Sequence, residues 1–498
     1  MGKKLVIVGG GIAGITAGIY ARMSGFETTI IEKHSLPGGN CTSWRRNGYL
    51  FEGAIHWLSG TSPRNPDNLL WRETGALNDM THIYNHDPYL YTKYDGIDLY
   101  LYRDLNKLEE HFLEISPDDL KAIKKLSKDI KCYSTIKMPL ENEKGVKLKK
   151  QTPEMALRDI IAMLPALMRM GRHMKISIAD YAKMFKHAGI HRLLTTACPP
   201  YFPAMALLFF LATMSGGDGG YPEGGSLEMI QRMADTYKSL GGKLLLNTKA
   251  EKIIVENNRS KGVQTGENII DADCIIVAMD TITAVNTLFD SPPDDSWIAD
   301  ITRVEKGCVC TFAGIGVKAD LSHLPHSMVI NLDEAFEVAG EKMPFLSLNN
   351  YAEYKNYAPE GSTALTAILG FDDTYEWWKN EKTKGTYQKT KETLKERLEN
   401  ILAHHIPETS GKIEIIDIAT PLTYERYTGS WHGSYMCRME AGAKMKTYPC
   451  NLQNVKNIFF AGQRTKFPGG LPPALESGRR AVQLLCKEFN IIFQNEVI

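Results

Sequence analysis

Apolar positions along the chain fall into three well-patterned stretches separated by two of mixed character. The first begins with an unbroken run, Leu5 to Val8, which predicts a strand buried on both faces of a parallel sheet. Gly9-Gly10-Gly11-Ile12-Ala13-Gly14 follows, and small and apolar residues continue to Ser24 and Gly25, predicting a helix. A second strand is expected at Thr28 to Ile31, ending on Glu32. In mid-chain a helix bounded by Gly225 and Gly241 precedes several short strands rich in Leu, Ile and Val. From Val455 the chain closes with a strand, a Gly- and Pro-rich turn and a helix reaching Cys486. No internal repeat is present.

Strand, glycines and helix recurring at start, middle and end predict an α/β fold. Its discontinuous Rossmann-like domain is assembled from residues 1–80, 219–290 and 450–498. Residues 81–218 and 291–449 read as insertions forming an α+β substrate domain over the carboxyl edge of the sheet, where doubly wound folds bind ligands. Gly9 permits the tight turn, Gly11 lets the backbone approach a pyrophosphate, and Gly14 lets helix and strand pack closely. The phosphates would rest on the free N–H groups at the helix N-terminus. Glu32, 18 residues beyond Gly14, suits a ribose diol and repels the extra phosphate of NADP. These residues specify a dinucleotide site and leave NAD and FAD open. A second formal match, GIGVKA at 314–319, continues as DLSHLPHS with no helical period, and reads as a strand of the inserted sheet.

At 498 residues the chain has room for large cores, and 58 basic residues balance 58 acidic ones, so no global field draws it to nucleic acid. Nine cysteines without a C-x-x-C spacing read as free thiols of a reducing compartment. Cys308 and Cys310 are expected on one face of a core strand, and no metal site is expected. The first apolar residues are committed to a strand, so no signal peptide is expected. The most apolar stretch, Leu193 to Met214, is interrupted by Pro199, Pro200 and Pro203 and does not read as a membrane span. A cytoplasmic protein is expected, with contact to a membrane surface left open. Residues 158–214 are the segment for that contact. Within it, Arg158 to Arg192 carries a charge of +5 and five methionines, and reads either as a lipid-entry segment or as a helical cap with a solvated basic face.

Several motifs occur in an order that points to one group. They are the N-terminal fingerprint, Gly38-Gly39, Gly220-Tyr221-Pro222-Glu223-Gly224-Gly225, the stretch from Asp417 to Met436, and AGQRTKFPGGLPPALESG at 461–478. Over nearly its full length the chain resembles flavoproteins of the phytoene desaturase, carotenoid isomerase and retinol saturase group, within the amine oxidase-like fold. NGYLFEGAIHW at 47–57 looks most like the retinol saturases. The resemblance implies FAD as cofactor and an apolar, lipid-like small molecule as substrate. It implies that Gly9, Gly11 and Gly14 hold the pyrophosphate and Glu32 the adenosine ribose, with Ile12, Ala13, Lys33 and Asn40 beside them. Gly38 and Gly39 would line the flavin side of the phosphates, and the Ala250 backbone would contact adenine. Gly462, Gly470 and Leu471 would meet the ribityl chain and the isoalloxazine edge. The helix starting near Pro473 adds a physical reason, because its positive end stabilises negative charge on a reduced flavin. Two positions depart from the group: Asn40 stands where Arg is frequent, and Glu52-Gly53-Ala54 where many members have Asp-x-Gly.

The expected activity is hydride transfer between FAD and a carbon–carbon double bond of a long polyene or isoprenoid, by desaturation or saturation. Redox-neutral double-bond isomerisation is the alternative, and a non-catalytic lipid or prenyl escort a remote one. The electron donor or acceptor is not specified. Ala54-Ile55-His56-Trp57 ends a strand-like run, and alternation puts Ala54 and His56 on one face. With an ordinary pKa of about 6.5, His56 is the candidate catalytic acid or base.

Overall fold

The computed structural model describes residues 2–137, 139–150, 156–304, 306–370 and 372–496. Its first strand, Lys4–Val8, lies at the centre of a five-stranded parallel sheet ordered Ile458–Phe460, Cys274–Val277, Lys4–Val8, Glu27–Ile31, Lys243–Leu245. The unbroken apolar run has a simple cause. Leu5 and Ile7 join the core beneath the helix Ile12–Met23, whereas Val6 and Val8 point the other way, into a core shared with Ile253 and Val263 of a three-stranded meander. Close helix packing follows from missing side chains: a Cβ on Gly14 would lie 1.9 Å from the Gly9 carbonyl oxygen, and one on Gly478 would lie 2.4 Å from that of Ala13. Gly478 belongs to the closing helix, Leu471–Glu488.

The chain winds first to one side of Lys4–Val8 and then to the other, so a crevice opens between the ends of Lys4–Val8 and Cys274–Val277. Doubly wound sheets bind ligands at such a reversal.

The second layer is a seven-stranded sheet ordered Ile413–Ala419, Thr311–Val317, Thr363–Leu369, Glu341–Asn350, Ser327–Val338, Leu90–Tyr94, Ile97–Leu101. All its pairs are antiparallel except that of Ser327–Val338 with Leu90–Tyr94. The expected strand at GIGVKA is its buried member Thr311–Val317. Helices Leu105–Ile115, Leu120–Tyr133, Ile178–Ala182, Ala188–Ala197 and Ala204–Ser215 share one core with this sheet. The apolar stretch 193–214 breaks at its prolines into Ala188–Ala197 and Ala204–Ser215, and no described helix is long and apolar enough to cross a membrane.

Two local expectations need correction. Cys308 closes the two-residue strand Gly307–Cys308, whereas Cys310 falls between strands and faces a cavity. The strand leading to His56 is only Tyr49–Glu52. It ends there because the Glu52 side chain itself accepts the N–H groups of Ala54 and Ile55, at 2.9 and 3.1 Å, in place of a ladder neighbour.

Candidate functional site

A cavity of about 1560 Å³ runs from the crevice at the sheet edge into the apolar interior of the second layer. Its polar end is built from backbone. Gly11 caps the helix Ile12–Met23 with no side-chain hydrogen bond, so the first-turn N–H groups are left for a ligand. Gly9, Gly11, Ile12 and Ala13 line this end. Gly14 does not; it packs against Gly9, so its part in phosphate binding is indirect. Gly38 and Gly39 meet the fingerprint loop through the Gly38 N–H, which donates to the Gly10 carbonyl at 2.9 Å. Gly38 has φ 132°, a conformation that glycine adopts without strain. Glu32 accepts from the N–H of Gly10 and of His34, both at 2.8 Å, which aims its carboxylate along the wall it shares with Lys33 and Ala250.

Farther in, Gly462, Gly470 and Leu471 line the wall. Pro472 and Pro473 carry no N–H, and the Gly470 N–H donates to Gln463 Oε1 at 3.2 Å, so the closing helix offers chiefly the Leu471 N–H and its positive end. Asn40, in the place of the frequent Arg, donates to the Ser434 carbonyl at 3.0 Å and accepts from Ser430 Oγ at 3.4 Å.

Two cavity residues escaped the sequence reading. Asp280 and Arg464 form a buried ion pair at 2.5 Å, and Arg464 also donates to Ser434 Oγ at 2.6 Å. An acid three residues past the strand Cys274–Val277 was the available signal for Asp280; nothing local marks its partner 184 residues away.

At the inner end stand Ala54, His56 and Trp57, backed by a buried carboxylate. Glu52 accepts five hydrogen bonds: from Ala54, Ile55 and the Ser226 N–H, from Ser226 Oγ, and from the Tyr221 hydroxyl. Burial raises its pKa, and the bonds from Ser226, Ala54 and Ile55 pull it back. Ser226 directly follows the Tyr221–Gly225 motif, so this motif ties the mid-chain helix to the loop carrying His56. Ala54, His56 and Trp57 all reach the cavity while Ile55 is buried, so strict alternation fails after Glu52.

His56 does not keep the ordinary pKa on which its candidacy as an acid or base rested. Burial pulls its pKa down to about 4, so the ring is neutral at pH 7. Its Nδ1 lies 3.0 Å from Nδ2 of Asn349, and an amide nitrogen only donates, so the basic nitrogen is already occupied. Beyond it the walls are aromatic and thioether-rich, with Tyr89, Phe202, Met205, Phe209 and Phe210 among them.

The cavity also reaches Ile136, Lys137 and Met170. Met170 belongs to the helix Leu157–His173, which buries Met163, Ala166 and His173. Asp129 draws that stripe inward: Arg169 and His173 both lie 3.7 Å from it, and Tyr181 donates to it at 2.9 Å. Leu157, Ile160, Ile161, Leu164, Leu167 and Met168 are left outside, Ile161 57 % and Met168 79 % exposed. The solvated face is therefore apolar rather than basic, with Arg158, Arg172 and Lys175 exposed at its two ends.

The family described as "Flavin containing amine oxidoreductase" matches residues 12–486. The all-trans-zeta-carotene desaturase of Myxococcus xanthus is 22% identical over 98% of this chain and 94% of its own. The human all-trans-retinol 13,14-reductase is 22% identical over 97% of this chain and 84% of its own. The match to a lycopene-forming phytoene desaturase of Paracoccus sp., 24% identical, spans about half of each protein, 52% and 51%. Among solved structures, cyclohexylamine oxidase from Brevibacterium oxydans superposes with a TM-score of 0.61 at 13% identity, covering 98% of this chain and 100% of that one. An oxidoreductase from Methanosarcina mazei gives 0.58 at 16% identity, covering 95% and 98%. These two likenesses concern the fold.

Proposed function

The chain belongs to the flavin containing amine oxidoreductase family, and from this we propose that it moves hydride between FAD and a carbon–carbon double bond of a long apolar polyene or isoprenoid, by desaturation or saturation. One observation carries the reading: the backbone-lined crevice and the aromatic, methionine-lined interior form one continuous cavity. The residues present fit FAD. The uncapped helix at Gly11 suits the pyrophosphate, Glu32 the ribose, the Ala250 backbone the adenine, and the Leu471 end of the closing helix the flavin edge. We assign residues 1–80, 219–290 and 450–498 to this cofactor domain, and the remainder to the substrate domain. Bound FAD supplies the hydride acceptor or donor. The chain's own part is to orient an apolar substrate against it and to keep water out.

Anaerobic turnover of the yellow protein followed by mass spectrometry of extracted lipids tests this. Gain or loss of two hydrogens on a polyene is expected, whereas unchanged mass with moved double bonds means isomerisation. Turnover of simple amines with release of peroxide, and none of polyenes, overturns the proposal.

The outward apolar row on Leu157–His173, flanked by Arg158, Arg172 and Lys175 and joined to the cavity through Met170, supports contact with an anionic lipid surface from which such a substrate would enter. Flotation with phosphatidylserine-containing liposomes is expected to recover the protein. The Ile161→Ser/Leu164→Ser/Met168→Ser variant is expected to stay behind, and equal recovery ends the idea.

A further inference from the structure

We propose that Asn349, aligned by Ser327, holds His56 as a neutral Nε2–H donor, and that this N–H forms a subsite for an uncharged oxygen acceptor, a hydroxyl or carbonyl oxygen, on an otherwise apolar ligand. The inference rests on the proposed function and narrows its substrate class.

The geometry begins in the second sheet. Asn349, on the strand Glu341–Asn350, is the direct cross-strand partner of Ser327. Ser327 Oγ donates to Asn349 Oδ1 at 2.7 Å, which fixes the rotation of the amide and points its NH₂ at His56 Nδ1, 3.0 Å away. Nδ1 therefore accepts, and a neutral imidazole has its single proton on the other nitrogen. Nε2 has no protein partner among the described residues, while His56, Asn349 and Ser327 all line the cavity. The charged groups nearby do not alter this. His326, which faces the site, is itself held neutral by burial, its pKa pulled down to about 3. Glu52 is engaged by Ser226, Tyr221 and its own loop. An N–H donor set among aromatic rings and thioethers stays unpaired with a pure hydrocarbon and paired with an oxygenated one.

The test uses the FAD-loaded protein, ¹⁵N-labelled at histidine, and two probes: farnesal, which accepts hydrogen bonds, and β-farnesene, the comparable hydrocarbon. In the ligand-free protein the His56 resonances, assigned by their loss in His56→Phe, are expected to report a protonated Nε2 and a bare Nδ1. Asn349→Leu is expected to mix the two tautomers. Farnesal is expected to bind about fivefold more tightly than farnesene, the worth of one neutral hydrogen bond, and His56→Phe to erase the difference. A protonated Nδ1 in the wild type, equal binding of the two probes, or a preference that survives His56→Phe overturns the proposal. If the flavin edge is the acceptor, His56→Phe shifts the visible spectrum of the ligand-free protein and the probes bind equally, which overturns it as well. Failure of both probes to bind refutes instead the apolar-substrate reading beneath it.

Discussion

Replacing Glu52 by Gln is expected to destabilise the protein by about 2–4 kcal/mol, and the reason lies in how many donors converge on one carboxylate. The N–H groups of Ala54 and Ile55 and the Ser226 hydroxyl reach Oε1, and the Ser226 N–H and the Tyr221 hydroxyl reach Oε2. Glutamine keeps one accepting oxygen and puts a donor in place of the other. If the amide nitrogen takes the Oε2 position, the Tyr221 hydroxyl can turn and accept, but the Ser226 N–H is stranded. In the opposite rotation the Ala54 N–H is stranded, and the Ile55 N–H keeps only Ser226 Oγ, at 3.3 Å. A buried N–H without a partner costs about 1–3 kcal/mol. The bonds that survive lose the strengthening that a charged acceptor brings, and relief of the buried charge offsets part of this. Urea unfolding of the FAD-loaded protein, followed by tryptophan fluorescence and by flavin release, measures the sum. A midpoint shift worth under about 0.5 kcal/mol at unchanged slope would refute the argument.

Gly14→Ala places a methyl carbon where the Gly9 carbonyl oxygen comes within 1.9 Å, so the protein should be purified without its yellow colour; full flavin occupancy would contradict this. Asp280→Asn still caps the Thr283 N–H but leaves Arg464 buried without its counter-charge, an expected loss of about 3–5 kcal/mol by denaturant titration. Adding Arg464→Met should recover part of it, and strict additivity of the two changes would show that the pair is not coupled. Burial, with Glu476 as the next cause, raises the Asp67 pKa to about 7, above its unfolded value of about 3.9. The folded form then holds an extra proton between those values, so the stabilisation is complete below about pH 4 and lost as pH rises through about 7. Asp67→Asn should flatten the stability profile across that window, and an unchanged slope would show that another group is responsible.

The legible parts of the site were those made by neighbouring backbone. The strand Lys4–Val8, its glycines and the helix after them occupy one contiguous stretch, and Glu32 closes the adjacent strand, so their geometry follows from local rules of turn, period and packing. The unbroken apolar run announced burial on two faces, as it found in two separate cores. The prolines at 199, 200 and 203 foretold the break between two helices. What the sequence alone did not determine depends on partners distant in the chain. The His56 strand stops early because a side chain outcompetes the ladder, and the state of the ring is set by burial and by Asn349, 293 residues away. The Asp280–Arg464 pair spans 184 residues. The methionine-rich helix was legible as amphipathic, but Asp129 turns its Arg169 and His173 inward and its leucines out, a choice made by one buried carboxylate on another helix. Periodicity describes the faces of an element; which face is buried, and which proton a buried ring keeps, is decided by whatever charge and hydrogen-bond partner the fold brings against it.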